Sequence, residues 1–296
     1  MKLLSSDCFR GKKDPLRLLA EELSVLSFPR YLRQNPNNKQ WNDMQKDTPE
    51  SPEKISMLLR LIERERMASI NGWLEMLDFL TVEKSGHSRR LARLTLALSR
   101  KLGWPEEDVL RAGAGALLHD IGKTRIPREI LNKKGPLDAE ERTVIRSHPV
   151  HGGRMLKNHP TFDRLGLLVE QHHERWDGSG YPLGLSGEGI EKEALLIGLV
   201  DSYDAMTDQR HYNHPRTPGE ALQEISRLSG TAYEPEMANI LARMDPEEIR
   251  TVLADDTGRG EQEFLENLFR QDLSLECLMG EDLQATWNVD GKNRKE

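Results

Sequence analysis

His119 and Asp120 stand side by side at the end of the apolar run "GALLHD", and Lys123 follows three residues later. An ionised carboxylate is costly to bury unless it is paired or holds a metal. Other residues of the same chemistry are spread along the chain. Glu83 and His87 lie four apart, so on a helix they share one face and can converge on one ion. His148 precedes a proline, His172 and His173 form a second adjacent pair, and Asp201 ends the run "LLIGLV". These histidines and carboxylates form a ligand inventory without sulfur. Imidazole with carboxylate suits iron, manganese, zinc or cobalt, whereas hard, oxygen-only ions such as calcium are disfavoured. A carboxylate can also bridge two ions, which would give Asp120 its place in a cluster.

Taken singly, each has a plain structural reading. Glu83 with His87 is an ordinary helix-surface contact, and His148 an ordinary loop residue. Together they weigh more, because the His119-Asp120 pair and Asp201 each terminate apolar segments that would otherwise bury an unpaired charge. His151, His159, His211 and His214 are read as having no such role; His159 and His214 precede prolines and look like loop residues.

The elements that must position these groups read as helices. Leu16, Leu19, Leu23 and Leu26 mark a short amphipathic helix within 14–33, followed by a polar, Asn- and Pro-rich linker. Residues 1–52 are therefore a short helix and linker, too small for an ordinary folded domain. A helix opens at Ser51 or Pro52. Leu91, Leu94, Leu98 and Leu102 then line one buried face that Gly103 stops. "EDVLRAGAGALLHD" is apolar nearly all round and rich in small residues, so it is expected at the centre. "EALLIGLVDSYDAM" fits either a strand or a buried helix. The expected fold is all-α: a helical bundle over 53–244, with short helical extensions on both sides and an acidic helical tail over 245–296.

Composition sets outer limits. The chain has 296 residues and a formal net charge of −7. That balance argues against coating a nucleic-acid polymer or an anionic membrane. No apolar run approaches the ~20 residues needed to span a bilayer. Two cysteines near opposite ends make neither a disulfide framework nor a thiolate metal site. No signal peptide is read at the N-terminus, so a cytoplasmic location is the expectation.

In order, "HDIGK", "HHERWDGSGYPLGLSG" and "DSYDAMTDQRHY" resemble the HD-GYP subgroup of the HD metal-dependent phosphohydrolases, over about Glu83 to Glu236. The resemblance implies hydrolysis of the bacterial second messenger cyclic di-GMP on an HD-superfamily helical bundle with a histidine/carboxylate metal cluster. Carried over position by position, the ligands are His87, His119, Asp120, His148, His172, His173 and Asp201. Glu83 matches a position that in a subset of the family helps to hold a third ion. The implied cofactors are two or three transition-metal ions, iron or manganese by resemblance, with zinc, cobalt and nickel compatible. Asp120 and Lys123 are the implied catalytic pair, and Lys123 also contacts substrate phosphate. Arg210 matches a basic residue near the phosphates, although as a bare residue it could equally pair with Asp204 or Asp208. Family members often have a basic residue shortly after that arginine, where this chain has Asn213.

A phosphodiester resists attack because its anionic oxygens repel nucleophiles, and two metals about 3.5–4 Å apart relieve that repulsion and acidify a water. Lys123 would add positive charge where negative charge builds. The "WDGSGYP" loop could border the pocket with Tyr181 or Trp176 near a guanine, dock a protein partner, or simply order His172 and His173. The expected partner is a cyclic dinucleotide, and a homodimer is compatible with the sequence. An enzyme releasing pGpG or GMP, or preferring another cyclic dinucleotide, stands beside a binding module with little turnover. A purely structural helical protein would leave the clustered charges unexplained.

Overall fold

A computed structural model describes residues 68–77, 79–80, 86–159, 162–208 and 215–254. All of them lie in one compact unit, Met67–Leu268. The expectations for 1–52, for Glu83, Arg210 and Asn213, and for the tail beyond 254 fall outside the described residues.

Helical residues 68–77 and 79–80 precede α1, His87–Lys101. Leu91, Leu94 and Leu98 on α1 are fully buried, as their spacing requires, and Gly103 ends the turn with φ 71°. Only glycine adopts that conformation without strain. Next comes α2, Glu106–Leu118, whose first turn carries Glu106, Glu107 and Asp108 at the positive end of its dipole. From Ala112 to Leu118 every residue of α2 is buried. The small side chains of "AGAGA" let neighbouring helices come close: a Cβ on Gly115 would lie 2.9 Å from Ile197 and 3.2 Å from Leu168.

After a 3-10 turn, Ile121–Arg125, the chain forms α3, Arg128–Leu131, then α4, Ala139–Ile145, and α5, His148–Lys157. Asp138 opens α4 with a reciprocal cap, accepting from the Glu141 N–H while the Glu141 side chain accepts from its own. Then follow α6, Gly166–Gln171, and α7, Lys192–Thr207. Closing the described chain are α8, Pro218–Arg227, α9, Pro235–Ala242, and α10, Pro246–Ala254.

The segment that fitted strand or helix is the helix α7. It packs against α1, α2 and α6, so apolar residues fall on nearly all its sides and periodicity disappears. Glu193, fully buried on its first turn, is ion-paired with Arg111 of α2. Among the described residues there is no β-strand, only an isolated bridge between Ser229 and Tyr233. Likewise, no described helix is long and apolar enough to cross a membrane. Helix α10 packs on α1, where Arg93 donates to the Leu253 carbonyl at 2.7 Å and Ile249 is fully buried.

Two glycines bring the elements of the future site into contact. A Cβ on Gly122 would lie 1.9 Å from the His148 carbonyl oxygen and 2.5 Å from the Gly152 nitrogen, so only glycine lets the 3-10 turn lie on α5. A Cβ on Gly198 would lie 2.5 Å from the His172 carbonyl oxygen, so α7 meets the end of α6 through the same device. Backbone cannot retreat as a flexible side chain can. Gly122→Ala should therefore destabilise the fold by about 1–3 kcal/mol. Chemical denaturation checks this, with Gly135→Ala as the control, since nothing lies within 4 Å of a Cβ there. Equal stability of the two variants would show that the turn can shift.

Candidate metal centre

Three helices end at or just before a histidine. His119 follows the last residue of α2, His172 follows the last residue of α6, and His148 lies three residues beyond the end of α4. In each case the ring reaches back to a carbonyl three residues earlier. His119 Nδ1 lies 2.8 Å from the Ala116 oxygen, His148 Nδ1 2.8 Å from Ile145, and His172 Nδ1 2.7 Å from Val169. A carbonyl can only accept, so each Nδ1 carries the proton and donates. The last carbonyls of a helix lack partners within it, and these rings supply them. His87, at the start of α1, donates instead to Asp204: Nδ1 to Oδ2 is 2.8 Å.

With Nδ1 spent on these bonds, Nε2 is the nitrogen each ring has left to offer a ligand, and the Nε2 atoms converge. His148 Nε2 and His172 Nε2 stand 3.4 Å apart with neither able to donate to the other in this tautomer. Asp120 sits among them. Its Oδ2 is 3.0 Å from His119 Nε2 and 2.7 Å from Lys123 Nζ, and its Oδ1 is 3.2 Å from His148 Nε2. On the α7 side, Asp201 Oδ1 is 3.5 Å from His87 Nε2. Three overlapping sets bring ligand atoms within 4.8 Å of one another: His148 with His172 and His173, His87 with His119 and Asp201, and His119 with Asp120 and His172.

Burial and mutual repulsion divide the charges. Burial, then the nearby His173, His119 and His148, hold His172 well below the ordinary imidazole range. Burial and His148 push His173 down to about 4. Burial also acts against a charged His119, but the Asp120 carboxylate overcomes it and raises the ring to about 9. Despite its own burial, Asp120 is held well below the usual carboxylate range by His119 and Lys123. His119 and Lys123 thus offset the buried charge of Asp120. The facing lone pairs and the imidazole/carboxylate donor set fit divalent transition metals.

The structure thus brings together His87, His119, Asp120, Lys123, His148, His172, His173 and Asp201. His148 is no loop residue; it begins α5, where Pro149 fits the first turn. His159, read as a loop residue, lies edge-on to Trp73 and against Phe162, away from these atoms. Tyr181 stacks on His173, with ring centroids 4.7 Å apart and planes at 24°. Trp176 instead lines a separate cavity of about 450 Å³ with Arg111, Glu193 and Met237.

Sequence reasoning did not single out three supporting residues. Asp204, considered only as a partner for Arg210, orients His87 and receives Arg90 at 3.3 Å. Its signal was the Asp201–Asp204 spacing, one helical turn on α7. Such an outer carboxylate sets both tautomer and ring angle of a ligating histidine. Arg146 lies over the Tyr181 ring, its guanidinium carbon 4.2 Å from the centroid. Glu174, directly after the histidine pair, is buried and accepts three backbone N–H bonds, from Leu183 at 2.6 Å, Gly184 at 3.2 Å and Leu185 at 3.1 Å. It ties the loop across its mouth. Gly178 takes a positive φ, 81°, whereas Gly180 is required by close packing: its Cβ would lie 2.4 Å from the Arg175 nitrogen.

Glu174→Ala would leave those three N–H groups without their acceptor. It should cost about 1–3 kcal/mol and open 178–187 to proteolysis. Denaturation and limited proteolysis test this, and unchanged cleavage in the loop would mean that Glu174 does not hold it.

Comparisons with known proteins agree with this geometry. The profile of the family described as "HD domain" matches residues 75–237. A cyclic di-GMP phosphodiesterase of Thermotoga maritima is 37% identical over 180 residues, covering 59% of this chain and 49% of that protein. The cyclic di-GMP phosphodiesterase response regulator RpfG of Xanthomonas campestris is 31% identical over 244 residues, covering 78% of this chain and 64% of its own length. A 3'3'-cGAMP-specific phosphodiesterase of Vibrio cholerae is 32% identical over 163 residues, covering 54% and 31%. This chain therefore spans less than two thirds of each of these relatives.

Proposed function

The chain belongs to the HD domain family, and from that premise we propose that it hydrolyses cyclic di-GMP with two or three transition-metal ions. The observation that carries this is the set of Nε2 atoms turned inward on Asp120 by hydrogen bonds at the far side of each ring. The proposed ligands are His87, His119, Asp120, His148, His172, His173 and Asp201, with Glu83 for a third ion. Iron or manganese is proposed on family resemblance. Bound there, the ions supply Lewis acidity to phosphate oxygens and an acidified water as nucleophile.

The chain's own residues do the rest. Asp120, approached by His119, His148 and Lys123, would be the carboxylate that holds metal at the middle of the ligand set. Lys123, with Nζ 2.7 Å from Asp120, brings an ammonium to the edge of the cluster. It can stabilise negative charge on the phosphoryl oxygens as the bond is cut. The Nδ1–H bonds keep the rings in one tautomer, so no reorientation is needed when ligands or substrate arrive. Tyr181, held on His173, forms a wall of the site, and burial keeps its phenol neutral by raising it above the ordinary range. Arg210 is proposed as a phosphate contact. A different cyclic dinucleotide is the second reading, favoured by the 32% identity to a 3'3'-cGAMP-specific relative.

Metal analysis of protein purified without chelators should find at least two transition-metal ions per chain. Asp120→Ala should lose metal and activity together, while Glu83→Ala should lose up to one ion. The absence of transition metal from the wild-type protein would sink the mechanism. With metal loaded, cyclic di-GMP should yield pGpG or GMP. Lys123→Ala should keep its metal while kcat falls by roughly 100- to 1000-fold. A panel including 3'3'-cGAMP and cyclic di-AMP decides the substrate, and tight binding without turnover would make the protein an effector.

A further inference from the structure

Arg146 stands out among the cations near the cluster. The first arginine of α1 to face the site, Arg90, is engaged by Asp204 and Asp208. Arg111 is paired with Glu193 and Asp108, and Lys123 with Asp120. Arg146 is different. Its guanidinium has no carboxylate or hydrogen-bond partner among the described residues, and it lies over the ring of Tyr181. Lying over an aromatic ring uses the face of a guanidinium and leaves its N–H groups free along the edge.

Its position is also fixed. The Arg146 backbone N–H donates to the Arg142 carbonyl at 2.9 Å, and the next N–H, of Ser147, donates to Val144 at 3.2 Å, closing the end of α4. The neighbouring Ile145 carbonyl holds the His148 ring, and Tyr181 stacks on His173. One turn of chain thus carries both a proposed ligand and an unspent cation, and the ring beneath that cation rests on another proposed ligand. A cyclic dinucleotide has two phosphates and only one is cut at a time. Lys123 is already at Asp120, where the reacting phosphate belongs. The edge of a guanidinium matches the second phosphate, whose two free oxygens it can take with parallel N–H bonds.

We propose that Arg146 is a substrate-binding residue that grips the uncut phosphate of the cyclic dinucleotide from the Tyr181 side of the site. The inference rests on the phosphodiesterase reading above. It gives this chain a cation for the second phosphate that does not depend on position 213.

The test is steady-state kinetics on metal-loaded wild-type, Arg146→Gln and Arg146→Lys protein. The substrates are cyclic di-GMP and bis(p-nitrophenyl) phosphate, which has one phosphate only. Losing a charge-assisted contact made equally in ground and transition states should raise KM for cyclic di-GMP about tenfold and change kcat less than twofold. The preference for cyclic di-GMP over bis(p-nitrophenyl) phosphate should fall about tenfold in Arg146→Gln. Arg146→Lys should recover part of the loss, and added salt should shrink the gap between wild type and Arg146→Gln. An unchanged KM in Arg146→Gln, or an equal loss on both substrates, would overturn the assignment while leaving the phosphodiesterase intact. Wild-type protein that cleaves bis(p-nitrophenyl) phosphate but no cyclic dinucleotide would instead overturn the reading on which it rests.

Discussion

The hydrogen bond from a histidine Nδ1 to a carbonyl three residues earlier is the interaction on which the rest of this structure depends. It meets two needs with one contact. A helix must end with carbonyls that its own backbone cannot satisfy, and a ligating imidazole must have one nitrogen protonated so that the other is free. At Ala116, Ile145 and Val169 the unsatisfied carbonyl and the ring meet. The site is therefore built from helix ends, and the fold is organised so that those ends arrive at one place. Close backbone approaches at Gly122 and Gly198 serve that convergence.

Electrostatics follows the same plan. Helix C-termini carry partial negative charge, and those of α2 and α6 add to the carboxylates of Asp120 and Asp201 to favour a cation. Asp120 is compensated from several sides at short range, by two imidazoles and an ammonium. Farther out, Asp204 stands between His87 and Arg90, so that its own buried charge is matched by the groups it orients. His119, His148 and His172 lie deepest, and the ammonium of Lys123 and the guanidinium of Arg90 lie nearer the solvent.

Much of this was legible in the sequence. The leucine spacing of α1 and the small-residue run of α2 specify helices that pack as expected, and the residue types at His119-Asp120, His172-His173 and Asp201 mark the groups that converge. What escaped has physical causes. Helix α7 is covered on nearly every side, which erases the periodicity that separates helix from strand. Glu174 looks like any acidic residue beside a histidine pair, because its value lies in three backbone N–H groups nine to eleven residues away. Gly180 looks in the sequence like any loop glycine, whereas its backbone neighbours leave no room for a side chain. Arg146 shows no pattern at all; only the folded loop brings an aromatic ring beneath it.

The histidine and carboxylate sets also differ in how far apart their members lie along the chain, and this bears on the order in which the molecule can assemble. Two of the three sets draw only on residues between His119 and His173, a run of consecutive elements. The third needs His87 from the first helix of the bundle and Asp201 from the seventh, and the His87–Asp204 bond beside it joins positions 117 residues apart. Closing so long a span costs chain entropy that local contacts do not. The inner part of the centre can therefore form while the flanking helices are still undocked. Docking α1 against α7 completes it, so the outer part of the centre and the closure of the bundle are one and the same folding event.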